Sequence, residues 1–161
     1  MNGALAIGAT GRYLDARFVV RGRLRLRHSS GTEWDEWYAV FAGGRGGWLA
    51  EAGGRFFVTF DDGAWLPEFA SLRQGRVALP ALVVVEKGSA RFIRAEGVLP
   101  FRPRIGKEYR YADLRGESGA FATIDYGDDP PSLFVGREAL EGELVLEKPK
   151  PTRRRRTQGG T

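Results

Sequence analysis

The chain has 161 residues, no cysteine and a formal net charge of +5, and this length suits a single domain with a real hydrophobic core. Because cysteine is absent, disulfides, thiolate zinc sites and cysteine nucleophiles are excluded, which fits a reducing cytoplasm. We expect neither a secretory leader nor a transmembrane helix, since the longest apolar stretch, Ala78 to Val85, contains Pro80 and a spanning helix needs about 20 apolar residues.

Alternating apolar residues predict a long strand over Arg17 to His28, bent at Gly22, where a missing side chain permits a bulge. Ser29 to Thr32 is predicted as a turn, and the aromatic-rich stretch from Glu33 to Phe41 as the antiparallel return strand. The alternation predicts that the apolar residues of the long strand share one face and that five arginines share the other: Arg17, Arg21, Arg23, Arg25 and Arg27. Pairing of these arginines with acids of the return strand is favoured over an anionic ligand.

Glycines and prolines separate the strands that follow. Gly53-Gly54 predicts a hairpin between Trp48 to Ala52 and Arg55 to Phe60, and Leu66 to Gln74 is the only predicted helical turn. The remaining predicted strands are Gly11 to Tyr13, Arg76 to Leu79, Leu82 to Lys87, Ala90 to Leu99, Glu108 to Leu114, Ala120 to Tyr126, Leu133 to Val135 and Leu144 to Glu147. This series predicts an all-β antiparallel barrel or sandwich over residues 1–147, with two packed, similar half-barrels as one arrangement.

The positive charge is concentrated at the end of the sequence. Residues 148–161 contain six basic side chains and no acid, and they are Lys148, Lys150, Arg153, Arg154, Arg155 and Arg156. The body before them carries 19 basic and 20 acidic residues, a charge of −1. Since this tail has no large apolar residue, we expect it to be disordered and to bind anionic surfaces electrostatically.

Five carboxylates stand beside aromatic or small residues in different predicted strands: Glu36, Glu51, Glu96, Asp113 and Asp125. A closed sheet could bring several of them together as ligands of a bound molecule or metal, or as a general acid and base. The alternative, which the many arginines favour, is that each carboxylate pairs with an arginine or a backbone N–H group. Glu96, flanked by Ala95 and Gly97, is the acid expected to be most accessible to a ligand.

Known catalytic patterns are poorly matched. Any Ser-His-Asp arrangement must use His28, the single histidine, whose position at a strand end beside turn serines favours a solvated turn residue. Gly116 to Gly119 does not have the spacing of a nucleophile elbow, and Gly43 to Gly47 is typical of a hairpin loop rather than a phosphate cradle. The four tryptophans, at positions 34, 37, 48 and 65, are predicted to lie in the core.

Several motifs occur in an order that resembles a known family. They are Trp34-Asp35-Glu36-Trp37-Tyr38, Trp48-Leu49-Ala50-Glu51, the stretch from Ala95 to Phe101, the set Gly106, Tyr109, Tyr111, Asp113 and Leu114, and Ile124-Asp125-Tyr126. Over residues 7–147 the chain resembles the bacterial family called domain of unknown function 4178. The resemblance implies a mostly β domain of cytoplasmic proteins, in some cases encoded near membrane-stress proteins, and it implies no activity. Zinc ribbons accompany some members, and this cysteine-free chain lacks one.

Two functions remain open. The favoured one is a non-catalytic β interaction module that binds a protein partner, with the tail adding attraction to an acidic membrane or nucleic acid, in a setting of bacterial membrane stress. The alternative is an enzyme, or a domain that binds a small ligand or metal, built on the five carboxylates. We expect no catalytic residue, metal or cofactor, and we expect a cytoplasmic protein that the tail can attach to the inner membrane.

Overall fold

The computed structural model describes residues 5–63 and 65–148, in which eleven strands form one sheet. The strands are β1 (Thr10–Tyr13), β2 (Ala16–His28), β3 (Glu33–Phe41), β4 (Gly46–Ala52), β5 (Arg55–Asp62), β6 (Val77–Leu79), β7 (Leu82–Gly97), β8 (Glu108–Arg115), β9 (Ala120–Asp125), β10 (Ser132–Glu138) and β11 (Leu144–Leu146). Two short 3-10 turns, Phe69–Ser71 and Glu117–Gly119, are the helical segments of this described part. None of its helices is long and apolar enough to span a bilayer.

Eight of the strands close into an antiparallel barrel. The order around the wall is β2-β3-β4-β5-β10-β9-β8-β7, and the pairing of β7 with β2 closes the circle. Strands β1 and β11 extend the sheet beyond the first half of β2, and β6 pairs with the start of β7. The predicted all-β antiparallel barrel is therefore confirmed, with its strands in a single sheet instead of two half-barrels.

The bulge in β2 turns the strand over. Pairing with β3 slips between Val20 and Gly22, so Phe18 and Val20 pack on the outer side of the wall while Leu24 and Leu26 face inward. The prediction that all the apolar residues of this strand share one face is therefore wrong. The prediction that its five arginines share the opposite face is wrong for the same reason. The physical reason is that one extra residue in a strand reverses the direction of every later side chain.

The arginines after the bulge pair with acids of β3 on the outer surface. Arg23 lies 3.0 Å from Asp35, and Arg25 bridges Asp35 and Glu33 at 3.1 Å each. Arg27 lies 2.8 Å from Glu33. The predicted cross-strand pairing is confirmed for these three arginines, and their charge is used within the fold.

The main aliphatic cores lie outside the barrel wall. The N-terminal segment with β1 and β11 covers one of them, where Val20, Leu49 and Val58 are fully buried. The segment from Leu66 to Leu79 covers the other, over the outer faces of β8 and β9. Burial of such a side chain contributes about 1.5–3 kcal/mol, so the fold obtains much of its stability without filling the barrel.

Three local predictions need correction. The two strands predicted over Leu82 to Leu99 form a single strand, β7, because Gly88 continues the extended chain where two neighbouring side chains need its space. The predicted helical turn is reduced to Phe69–Ser71. Trp65, predicted in the core, has 85% of its surface exposed because the segment beneath it packs through Leu66 and Phe69 instead.

Candidate functional site

The inner face of the wall carries aromatic and acidic side chains instead of aliphatic ones. The period of two along a strand explains this arrangement, since outward Leu49 and Val58 alternate with inward Ala50 and Thr59. The inward positions of three strands are Trp34, Glu36 and Tyr38 on β3, Tyr109, Tyr111 and Asp113 on β8, and Phe121, Thr123 and Asp125 on β9. Residues far apart in sequence thus meet inside the barrel.

These side chains surround an interior cavity of about 560 Å³, called the upper cavity. Ala50 and Thr59 are small, and they leave open the space that larger side chains would fill. The cavity opens at the end of the barrel where the β2–β3 turn and the β4–β5 turn lie, beside Ser30 and Gly53. Its volume is that of a typical small-molecule site.

Glu36 projects into this cavity from the middle of β3. Its Oε1 accepts a hydrogen bond of 3.2 Å from the Trp34 indole N–H. The Glu36 side chain is half-buried because it borders the cavity. The walls of the cavity nevertheless remove most of the bulk water around its carboxylate. This desolvation raises the pKa of Glu36 to about 7, with repulsion from Asp113 and Asp125 adding to it and the Trp34 bond opposing it.

Asp113 and Asp125 share the same desolvated environment. Burial raises the pKa of Asp113 to about 6, against a hydrogen bond from Thr123 that favours the charged form. Burial also raises the pKa of Asp125, whose Oδ1 accepts a 2.7 Å hydrogen bond from the Gly127 backbone N–H. Burial therefore favours the protonated form of all three acids in this cavity.

None of these three carboxylates forms an ion pair with a described residue, although the charges of Arg115 and Lys107 act at longer range on Asp113 and Asp125. Across residues 5–63 and 65–148, the ion pairs involve other acids and leave Glu36, Asp113 and Asp125 unpaired. Arg115, at the rim, is engaged by Glu138 at 3.3 Å. An arginine partner is thus not found for these acids in the described part of the chain, because Arg23, Arg25 and Arg27 pair on the outer face. The backbone N–H partner that the sequence also allowed is present for Asp125.

Aromatic rings form most of the remaining wall. Tyr111 packs edge-on against Trp34 at 6.2 Å between ring centres, and Tyr109 lies 5.2 Å from Phe92. Desolvation raises the pKa of both tyrosines, and the nearby carboxylates raise it further. Both phenols are therefore neutral hydrogen-bonding groups at physiological pH.

The two other suspected binding acids lie elsewhere. Glu51 is exposed on the outer face of β4, opposite Asp35 in the pairing. Glu96 Oε1 lies 2.6 Å from Arg94 Nε on the outside of β7. The structure thus brings together Glu36, Asp113 and Asp125 and excludes the glutamate that looked most accessible, because its position in β7 faces outward.

A second cavity of about 490 Å³, called the lower cavity, lies at the opposite end of the barrel. Phe101, on the loop between β7 and β8, lines both cavities, and its ring centre lies 6.1 Å from that of Trp48 and 5.9 Å from that of Phe92. Asp61 and Arg102 add charge of both signs to the outer part of this lower cavity. The upper cavity is the candidate site because it is lined by Glu36 and Asp113 together with Asp125, which borders both cavities.

The rim of the upper cavity also contains His28, which was not among the predicted site residues. His28 was expected to be solvated, but its side chain is only 24% exposed and lies between Ser30 and Glu86. Strand alternation after Gly22 was the available signal for this residue. His28 is two positions beyond Leu26 and four beyond Leu24, so its side chain has the same inward direction as theirs.

The described residues contain no group of three histidine, aspartate or glutamate side chains placed to hold one metal ion. Of the predicted anion-binding tail, Lys148 is exposed, while Lys150 and the four arginines lie outside the described residues.

Residues 6–141 match the model of the family described as Domain of unknown function (DUF4178). The chain belongs to this family, as its motifs predicted. Neither a curated protein nor a solved structure matches the chain. The family is defined without an activity, so function has to be argued from the cavity.

Proposed function

We propose that this member of the DUF4178 family binds a small organic cation, such as a substituted ammonium group, inside its barrel. The observation that carries the proposal is the meeting of Glu36, Asp113 and Asp125 in one aromatic cavity without an ion pair to any described residue. A small-ligand domain built on the carboxylates was the alternative interpretation of the sequence. Three of its five acids now support it.

The electrostatics of the empty cavity favour a positive ligand. A charged group in a desolvated site is costly unless an opposite charge accompanies it, and an acid without such a partner keeps its proton instead. The raised pKa values of Glu36 and Asp113 are the expected result. A bound cation would supply the missing charge and allow the acids to ionise.

The aromatic wall supports the same class of ligand. A cation over an aromatic face gains about 0.5–1 kcal/mol at exposed sites and about 2 kcal/mol when desolvated. Trp34, Tyr109, Tyr111 and Phe134 all line the cavity beside the acids. A hydrated metal ion would use few of these rings, whereas an alkylated ammonium would contact them directly.

Calorimetry with a matched ligand pair tests this function. Choline and its neutral isostere 3,3-dimethylbutan-1-ol differ in charge and hardly in shape, and at pH 8 the barrel should bind choline at least about tenfold more tightly, a difference of about 1.4 kcal/mol. Glu36→Gln and Asp113→Asn should each weaken choline binding. Glu51→Gln and Glu96→Gln are matched controls, since they remove the same charge from the outer face and should leave it unchanged.

The neutral isostere decides the proposal. If 3,3-dimethylbutan-1-ol binds as tightly as choline, the cavity selects apolar shape and the cation proposal fails. If choline and larger alkylammonium ions such as tetraethylammonium and benzyltrimethylammonium all bind no better to the wild type than to the Glu36→Gln protein, it fails as well. Equal loss of binding in the Glu51→Gln control would move the site to the outer surface.

A further inference from the structure

We propose that Ser30, His28 and Glu86 form a nucleophilic site at the mouth of the upper cavity, where Ser30 accepts an acyl group from an ester. All three side chains line this mouth. Ser30 Oγ lies 2.7 Å from His28 Nδ1, and His28 Nε2 lies 3.5 Å from Glu86 Oε1. The sequence order is unlike that of the known triads, but a triad is recognised by its geometry and roles.

The hydrogen bonds fix which histidine nitrogen can act as a base. The Ser30 backbone N–H donates to His28 Nδ1 at 3.0 Å, so this nitrogen carries the lone pair and Nε2 carries the proton. That proton points to the side where Glu86 lies. The unprotonated nitrogen is therefore the one beside the Ser30 hydroxyl, as removal of its proton requires.

Glu86 is itself held in place. Its Oε1 accepts a 2.8 Å hydrogen bond from the Tyr111 hydroxyl, and Tyr111 packs edge-on against the His28 ring at 6.3 Å. A negative carboxylate fixed at this position stabilises the imidazolium that forms when His28 takes a proton. Glu86 is accordingly a positioning residue.

Gly88 is the independent sign that β7 is shaped around these side chains. A Cβ atom at this position would lie 2.8 Å from the Tyr111 hydroxyl and 3.0 Å from His28 Nε2. Glycine inside a strand weakens it by roughly 0.5–1 kcal/mol relative to alanine, and it often marks a close approach of another group. Here the missing side chain makes room for the imidazole and the phenol.

The chemistry needs only an ester and water. Ser30 Oγ bonds to the carbonyl carbon while its proton moves to His28 Nδ1, and the bond from that carbon to the alcohol oxygen then breaks as this oxygen takes the proton. Water next attacks the acyl carbon, giving one proton to His28, which returns it to Ser30 Oγ as the acid leaves. Thr32 Oγ1, 3.4 Å from Ser30 Oγ, is within reach of the acyl oxygen.

The alcohol part of the ester would extend toward the acids of the cavity. This clause of the proposal rests on the proposed function, since a cation held by Glu36 and Asp113 would place its acyl group near the mouth. The thioester acetylthiocholine, whose C–S bond breaks and whose leaving sulfur takes the proton, is compared with its neutral isostere 3,3-dimethylbutyl thioacetate. This pair separates binding of the cation from the reactivity of Ser30. The cationic substrate should be hydrolysed faster because Glu36 and Asp113 bind it. The intrinsic reactivity of the Ser30 hydroxyl does not depend on the charge of the substrate.

A fluorophosphonate probe tests the nucleophile directly. Intact-mass measurement should show one adduct on the wild-type chain, mapped to Ser30 by peptide sequencing, and Ser30→Ala should abolish it. His28→Asn should slow labelling by about 10²-fold or more, the usual contribution of a general base. Glu86→Gln should shift the pH profile of the labelling rate, which loss of a merely structural contact would not do.

Ser29→Ala is the matched control, because the neighbouring serine makes no contact with the imidazole among the described hydrogen bonds. It should label like the wild type, and circular dichroism should show all variants folded. An adduct on Ser29, labelling that survives Ser30→Ala, or labelling indifferent to His28→Asn would overturn the proposal. Choline binding by the Ser30→Ala protein is measured separately, so failure of the nucleophile and failure of the cation site are distinguishable.

Discussion

Replacement of Glu36 by glutamine should stabilise the empty barrel at alkaline pH. The pKa of Glu36 is raised to about 7 in the folded chain, above an unfolded value near 4.5. An acid whose pKa is higher in the folded chain favours folding while it is protonated. That contribution to the free energy of unfolding is lost as the pH rises from 4.5 through 7. Glutamine keeps the acceptor of the Trp34 N–H bond and never ionises, so it avoids this loss.

The difference between the two pKa values sets the size of the effect. The rise in pKa from 4.5 to about 7 corresponds to about 3.4 kcal/mol at about 1.36 kcal/mol per pKa unit. Contact of the half-buried carboxylate with cavity water reduces this to about 1–3 kcal/mol. Urea unfolding should therefore show Glu36→Gln more stable than the wild type by this amount at pH 8. At pH 4.5 the two proteins should differ by less than about 0.5 kcal/mol.

Glu51, the exposed acid on the outer face of β4, provides the control. Glu51→Gln removes the same charge from the outer face, where the acid remains solvated, and it should change the stability little at either pH. A Glu36→Gln protein that is less stable than the wild type at pH 8 would refute the account. It would mean that the carboxylate has a stabilising partner within the empty fold.

Three further outcomes follow from the same structure. The affinity for choline should rise about tenfold from pH 6 to pH 8, because Glu36 must lose its proton to bind a cation; calorimetry showing a flat profile would contradict this. Gly136→Ala should cost about 2 kcal/mol or more in urea unfolding, since its Cβ would overlap the Val58 carbonyl oxygen, whereas Gly63→Ala, in open space, should cost less than about 0.5 kcal/mol. Truncation after Glu147 should abolish binding to anionic vesicles or nucleic acid at low salt without changing the melting temperature or choline binding; retained vesicle binding would place that site on the folded body.

The sequence predicted the strands well because each carries a period of two and ends at a glycine, proline or aspartate. It also predicted the bulge at Gly22, yet the direction of the side chains beyond it was wrong. The reason is geometric, since a single extra residue changes the face of Leu24, Leu26 and the arginines together. Local pattern locates an element, and the bulge inside it decides which face meets the cavity.

The candidate site was predictable only as a set of residue types. Five acids beside aromatics were identified, but whether Glu36, Asp113 and Asp125 meet depends on closure of β7 against β2, a contact between residues more than 60 positions apart. The outward direction of Glu51 and Glu96 depends on the same closure. The empty interior was also not visible in the sequence, because it follows from aliphatic cores placed outside the wall.

The most direct measurement is a crystal structure of the full chain grown with tetramethylarsonium at pH 8, using the arsenic absorption edge to locate the ion. The proposed function predicts one anomalous peak inside the barrel, among Glu36, Asp113, Asp125 and the rings of Trp34 and Tyr109. The same experiment with the Glu36→Gln protein should lose or weaken that peak. An arsenic peak confined to the outer surface, or an empty cavity at saturating tetramethylarsonium, would contradict the central claim.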